Sequence, residues 1–225
     1  MIPIFVGLDP RETAAYHTFS QSVINHASQP VSFSPLALHL LQGYDETHTD
    51  GSNAFIYSRF LVPHLMGYKG WAIFADGDML CRYDIADLWN RRDDDKAVMV
   101  AKHNYKTKHP VKYIGTAMES PNMDYPRKNW SSVILWNCEH PANKVLTPEY
   151  VMASTGSKLH RFEHLRDKDI GDLPLEWNWL AEEYEPKDAK LIHYTLGAPA
   201  FKEYANSPYA DEWFKAFYQV SSVTE

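Results

Sequence analysis

Cysteine is nearly absent: the 225 residues hold two, Cys81 and Cys138, far apart in sequence. They form no Cys-x-x-Cys pair, so neither a disulfide framework nor a zinc site is expected, and a reducing, cytoplasmic setting fits. An excess of base is lacking as well. Lys and Arg number 22 against 29 Asp and Glu, a net charge of −7. That balance argues against nucleic acid as a partner, because its binders displace counterions with a basic stripe. The one basic cluster, KHNYKTKHPVKY (102–113), is short and interrupted and reads as a solvated loop. No uncharged apolar run approaches the ~20 residues needed to span a bilayer, and MIPIFVGLDPRE lacks the basic start and longer apolar stretch of a signal peptide. A soluble protein without a membrane span is expected. Gly and Pro are scattered and no repeat or low-complexity linker is found, so residues 1–225 read as one domain.

What is present is apolar and aromatic: 44% of residues are hydrophobic, with fourteen tyrosines and seven tryptophans. A chain of this size buries roughly 70% of its unfolded surface. The aromatic surplus suits a core and also suits stacking on bases or sugars. IPIFVGL (2–8) reads as a buried strand, and Asp9-Pro10-Arg11-Glu12 predicts a helix start, with an acidic cap, proline in the first turn and glutamate three residues after the cap. Ala15, Tyr16, Phe19, Val23, Ile24 and Ala27 then recur at helical spacing. PVSFSPLAL (30–38) predicts a second strand, and Phe55, Ile56, Phe60, Leu61 and Leu65 predict another amphipathic helix. Further strands are expected at 97–101, 131–137 and 189–194, and helices at 146–155 and 211–220. Strands alternating with helices indicate an α/β fold with a mostly parallel central sheet flanked by helices, whose ligands bind beyond the carboxyl ends of the strands. On the last helix, Trp213, Phe214, Phe217 and Tyr218 form either packing onto the protein's own core or a face for oligomerisation.

The segment WAIFADGDML (71–80) runs from an uncharged stretch into Asp76-Gly77-Asp78. In extended backbone residues i and i+2 point to one side, so the two carboxylates can converge, and Gly77 allows close backbone approach. Two such oxygens are part of a hard-cation site, suited to Mn²⁺ or Mg²⁺. Asp-Gly is equally a hairpin turn signal. CRYDIADLWN follows without the alternation of a return strand, which favours the metal reading.

YSRFLVPHLMGYKGWAIFADGDMLCRYDIADLWN (57–90) resembles the central block of glycosyltransferase family 8, which has a GT-A nucleotide-sugar fold. The likeness extends to the first strand-loop-helix, to WSSVILWNCEHP, to DIGDLPLEWN and to LIHYTLG, in the family's order. It implies a hexosyltransferase that takes a UDP-sugar donor and a glycan or small-molecule acceptor, with retention of configuration. It further implies Asp76, Asp78 and His193 as ligands of Mn²⁺ or Mg²⁺. Donor contacts would fall on Gly7, Asp9 and Arg11, on Arg59, on Gly77, on Ser131 and Ser132, and on Gly197 and Lys202. Asp169, or Asp172 three residues on, would be the catalytic carboxylate beside the sugar.

The chain departs from the family at three places. Trp130 stands where the family has asparagine, with Asn129 one place early; Ile170 replaces a glutamine; and APAFKEY replaces Lys-Pro-Trp after His193. Two other readings stay open: a non-catalytic nucleotide-sugar or carbohydrate-binding module, and a phosphatase of the haloacid-dehalogenase type. The latter normally carries its Asp-x-Asp near the N-terminus.

Overall fold

The computed structural model describes residues 1–222. In chain order it contains β1 (Ile2–Gly7), α1 (Thr13–His26), β2 (Val31–Leu36), α2 (Val62–Leu65), β3 (Trp71–Ala75), β4 (Met79–Cys81), α3 (Ile85–Trp89) and β5 (Val98–Ala101). There follow β6 (Val111–Lys112), β7 (Ser120–Pro121), β8 (Val133–Asn137), α4 (Pro148–Ala153), α5 (Gly156–His160), β9 (Ile170–Leu173), β10 (Trp179–Leu180), β11 (Leu191–His193) and α6 (Ala210–Ser221). Six strands form the central sheet in the order β2-β1-β3-β8-β5-β9. Only β8 runs against the others, so the carboxyl ends of β1 and β3 share one edge.

Both faces of this sheet are covered, and the side-chain alternation of the strands shows it. Phe5, Phe74, Ile134, Trp136, Val98 and Val100 enter one apolar cluster, while Ile4, Val6, Ile73, Leu135 and Met99 enter the other. Strands buried on both sides need no polar face, which is why they read as continuous apolar runs. A second sheet, β10-β11-β4, pairs β4 antiparallel to β11. Its Leu80 and Ile192 pack with Trp179, Tyr194 and Trp213 of α6.

Three local expectations are corrected. Helix α1 begins at Thr13, not beside Asp9, and its Glu12 cap makes no side-chain bond to the helix. Ile24 lies on the solvent side, 53% exposed, while Thr18 and Ser22 complete the buried stripe by bonding back to Ala14 and Phe19 carbonyls. Ser22 Oγ also accepts from the Cys81 amide at 2.9 Å, fastening α1 to β4. The helix expected over 55–65 is a 3₁₀ segment, Ser58–Leu61, followed by the four-residue α2. Pro63 explains the break, because it has no N–H to continue a helix from the residues before it. In α6, Trp213 is fully buried and stacks on Phe217 while Tyr218 is exposed, so most of this aromatic set packs inward. Among the described residues no helix is long and apolar enough to cross a membrane.

Candidate metal and donor site

Asp76-Gly77-Asp78 is not a hairpin turn. It carries the chain from β3 in the central sheet to β4 in the small sheet, and the two strands do not pair with each other. Each aspartate is held by a different sheet: the Asp76 amide donates to Ser132 O at 2.9 Å, and Asp78 O accepts from the Tyr194 amide at 3.0 Å. A Cβ on Gly77 would lie 2.4 Å from the Gly7 carbonyl oxygen, so only glycine lets this junction cross the end of β1.

His193, at the end of β11, meets both carboxylates. Its Nε2 lies 3.4 Å from Asp78 Oδ1 and 3.7 Å from Asp76 Oδ2, and all three side chains are buried. The other ring nitrogen, Nδ1, lies 3.0 Å from Asn178 Oδ1, while Asn178 Nδ2 donates to Asn129 O at 3.0 Å. Since the Asn178 amide must offer its nitrogen to Asn129, its oxygen faces the imidazole and assigns the proton to Nδ1. In the neutral imidazole the Nε2 lone pair therefore points at two carboxylates. Asp76 Oδ1 and Asp78 Oδ1 are buried and accept no hydrogen bond. This is a donor set that repels itself without a cation and fits a divalent one with nitrogen and oxygen ligands.

The titration behaviour agrees. Burial pushes Asp76 up to about 6, against the pull of Arg59 and with Asp78 adding to the rise. Burial opposes the charge on His193, but Asp78 and Asp76 outweigh it and hold its pKa above the ordinary value. Arg59 is sunk beneath the site, its guanidinium 5.4 Å from the Phe55 ring centre and 5.0 Å from that of Phe74. Its Nη1 lies 2.7 Å from Asp76 Oδ1 but is aligned for a hydrogen bond to Ser131 O at 2.9 Å, and Nε donates to Ile56 O. This arginine positions Asp76.

The surrounding pocket encloses about 50 Å³. It is lined by Ser131, Ser132, Asn129, Tyr125, His160, Lys112, Tyr113 and Thr195 besides the residues above. Asn129 occupies a left-handed backbone position, φ 62°, which asparagine tolerates. That twist brings Asn129 to the pocket wall and turns Trp130 away, its Nε1 donating to His103 O. Asn129 thus lines the pocket, with its amide nitrogen donating to the Tyr105 hydroxyl at 2.9 Å. Ser131 Oγ bonds His160 Nδ1 at 2.7 Å, and burial keeps this imidazole neutral, with Arg59 and Lys112 acting in the same direction. Lys112, Tyr113, Tyr125, His160 and Asn178 were not singled out by sequence. Lys112 and Tyr113 lay within the stretch read as solvated loop, Asn178 ended the DIGDLPLEWN segment without an assigned role, and Tyr125 and His160 carried no spacing that marks a site.

Several expected donor contacts are placed otherwise. Asp9 is buried, and its two oxygens accept from Arg11 N, Nε and Nη2 and from Ala54 N, leaving it a tether between loops. These bonds outweigh burial and hold its carboxyl below the usual range. Arg11 remains partly exposed. Gly7 gives room to the Phe55 ring, and Gly197 to the Tyr204 ring. Lys202 is exposed and outside the pocket.

The expected catalytic carboxylates are not in the pocket. Asp169 precedes β9 and, through the registers Val98–Ile170, Val98–Trp136 and Ala72–Trp136, is level with Trp71 at the start of β3. It is thus about five residues, or about 16 Å, short of Asp76 along the strand direction, and three strands to the side. Its carboxylate is bound to Arg166 at 2.7 and 3.0 Å. Asp172 is exposed on the edge strand and pairs with Lys102 at 3.0 Å. Parallel pairing of β9 with β5 fixes both positions, and no sequence spacing foretold it.

The fold is the GT-A fold, and the Asp-Asp-His cluster lies at the carboxyl edge of its central sheet. The solved structure of the bifunctional glycosyltransferase WbbM superposes with a TM-score of 0.67 at 14% identity, covering 96% of this chain and 49% of that one. This chain therefore spans about half of WbbM. Galactosyltransferase LgtC, in complex with donor and acceptor sugar analogues, gives 0.62 at 14% identity over 100% and 98% of the two chains. GlyE of Streptococcus pneumoniae gives 0.62 at 12% identity over 96% and 60%. By sequence, protein CDI of Arabidopsis thaliana is 41% identical over 220 residues, 93% of this chain and 83% of that protein. The chain belongs to the family of protein CDI. No protein-family model matches it.

Proposed function

We propose that this protein is a metal-dependent glycosyltransferase that moves a hexose from a UDP-sugar to a glycan or small-molecule acceptor, with retention of configuration, in one catalytic domain. The observation that carries the reading is the buried Asp76-Asp78-His193 cluster, whose ligand atoms, one imidazole nitrogen and a carboxylate oxygen from each aspartate, lie within 4.8 Å of one another. Mn²⁺ or Mg²⁺ would be held by these three residues. When bound, the ion offsets diphosphate charge and stabilises the leaving nucleotide. Without it, one carboxylate ~5 Å from a phosphate charge repels it by about 3 kcal/mol at an effective dielectric of 20.

The chain's own groups supply orientation. Arg59 fixes Asp76, and Asn178 fixes His193. Asn129, Ser131 and His160 line the wall with hydrogen-bonding groups suited to sugar hydroxyls. In the retaining path an acceptor oxygen bonds to the anomeric carbon on the face from which the phosphate departs. The carbon–phosphate oxygen bond breaks, and the acceptor proton passes to a donor phosphate oxygen. No pocket carboxylate is then needed as base.

Calorimetric titration of UDP with Mn²⁺ and with chelator tests the donor site, and equal affinity in both would overturn it. Release of UDP from a panel of UDP-hexoses tests catalysis. A second reading, a non-catalytic nucleotide-sugar-binding module, is favoured by the distance of Asp169 from the pocket. Metal-dependent UDP binding without UDP release from any donor would select it.

A further inference from the structure

The pocket contains a cation that neither the metal cluster nor the fold explains. Lys112 ends β6 and brings its side chain to the same pocket as Asp76, Asp78 and Arg59. Its ammonium donates to Ser52 Oγ at 2.7 Å, and among the described residues it forms no ion pair. An ammonium has three donors, so the protein satisfies one. Burial lowers its pKa, while Asp78 and Asp76 act to raise it. Other lysines nearby are engaged elsewhere: Lys128 bonds Asn122 and pairs with Asp124, and Lys102 pairs with Asp172. Lys202 is exposed and outside the pocket.

The charges of the pocket point to what Lys112 faces. Asp76 and Asp78 are offset by Arg59 and Lys112, Glu12 beside them is pushed toward its neutral form by burial and by the charge of Asp78, and His193 is neutral when its Nε2 serves as a ligand. Adding a divalent cation leaves two positive charges uncompensated in a buried space, where unmatched charge is costly. A diphosphate matches them. A monovalent or neutral ligand does not.

We propose that Lys112 is a phosphate-binding residue of this site, with the β6–β7 strand pair delivering the cation that contacts the donor's diphosphate. The inference rests on the nucleotide-sugar reading above. Lys112 would act beside the metal, on phosphate oxygens, through hydrogen bonds strengthened by charge.

The test uses the whole chain with Lys112→Gln, Lys112→Arg and Lys202→Gln, titrated first with Mn²⁺ alone and then, at saturating Mn²⁺, with UDP and with GDP. Lys112→Gln is expected to weaken the diphosphate that binds by about tenfold or more, the effect of losing one charged hydrogen bond. The same variant is expected to bind Mn²⁺ as tightly or a few-fold more tightly, because a positive charge near the carboxylates is gone. A merely structural lysine would weaken both. Lys112→Arg is expected to stay within about threefold of the unsubstituted protein, since the charge and donors are kept, and Lys202→Gln to have no effect. Unchanged diphosphate affinity in Lys112→Gln, or parallel loss of Mn²⁺ and diphosphate, overturns the assignment of Lys112 alone. Failure of the unsubstituted protein to bind either diphosphate overturns the nucleotide-sugar reading and this proposal together.

Discussion

Asn178 sets the tautomer of His193: its amide oxygen lies 3.0 Å from Nδ1 because its amide nitrogen is committed to Asn129 O, also at 3.0 Å. The metal-facing lone pair thus depends on a residue that touches no metal. Asn178→Ala frees the ring to rotate and to exchange tautomers. Mn²⁺ affinity is expected to fall by about 10- to 100-fold, the range for losing such a partner. Titration calorimetry reads this directly, and affinity within twofold of the unsubstituted protein would show that packing alone orients the ring.

His193 itself separates a ligand from a core histidine. His193→Ala removes the third donor and should make UDP affinity nearly independent of added Mn²⁺, with little change in melting temperature measured in chelator. A core role predicts the reverse pattern, a lower melting temperature with metal dependence intact.

Protons and metal compete for the same atoms. With Asp76 titrating at about 6 and His193 above its ordinary value, the metal-free cluster holds protons that a cation must displace. Mn²⁺ affinity should therefore begin to fall as pH drops through the raised pKa of His193 and fall more steeply below about 6, by about tenfold per unit for each proton displaced. The stability term has the opposite sense in the metal-free protein. Asp76 binds its proton more tightly folded, at about 6, than at the ordinary 3.8, so its contribution to stability is lost as pH rises between those values. Asp76→Asn should flatten that part of the pH–stability curve in chelator, and an unchanged slope would assign it to other groups.

Gly77 is held by contact, not by an unusual φ. A methyl group there would meet the Gly7 carbonyl oxygen at 2.4 Å, and backbone cannot rotate aside as a side chain can. Gly77→Ala is expected to cost roughly 1–3 kcal/mol, the range for overpacking, in urea unfolding. An unaltered midpoint would mean that the β3–β4 junction shifts freely.

The strands of the central sheet and the Asp-x-Asp junction were legible because doubly buried strands leave continuous apolar runs, and because two aspartates spaced by glycine stand out against such a run. Asp76, Asp78 and His193 come together although 114 residues lie between Asp78 and His193, and it was the resemblance, not spacing, that joined them. Asp9 misled because an aspartate before proline has the same local pattern whether it caps a helix or, as here, ties the loop to Ala54. Asn129 and Lys112 depend on a left-handed residue and on a two-residue strand, features with no periodicity to read. Asp169 failed for a topological reason: strand pairing puts the start of β9 at the opposite edge of the sheet.

That placement yields the last prediction. Asp169→Asn keeps size and removes the charge from a carboxylate that bonds Arg166, not the pocket. UDP and Mn²⁺ affinity should be unchanged and UDP release from any active donor should stay within about twofold. The effect on stability should be small, since Arg166 is 70% exposed and the pair is screened. Arg166 holds the Asp169 carboxyl below its ordinary pKa, so the stability it adds is present above 3.8 and is lost as pH falls through its folded value. His160→Ala provides the contrast: its ring lines the pocket, and its loss should slow UDP release by about fivefold or more, the scale of one hydrogen bond to a ligand. A hundredfold loss of turnover in Asp169→Asn, with fold and UDP binding intact, would mean that the segment before β9 rearranges to bring this carboxylate to the sugar.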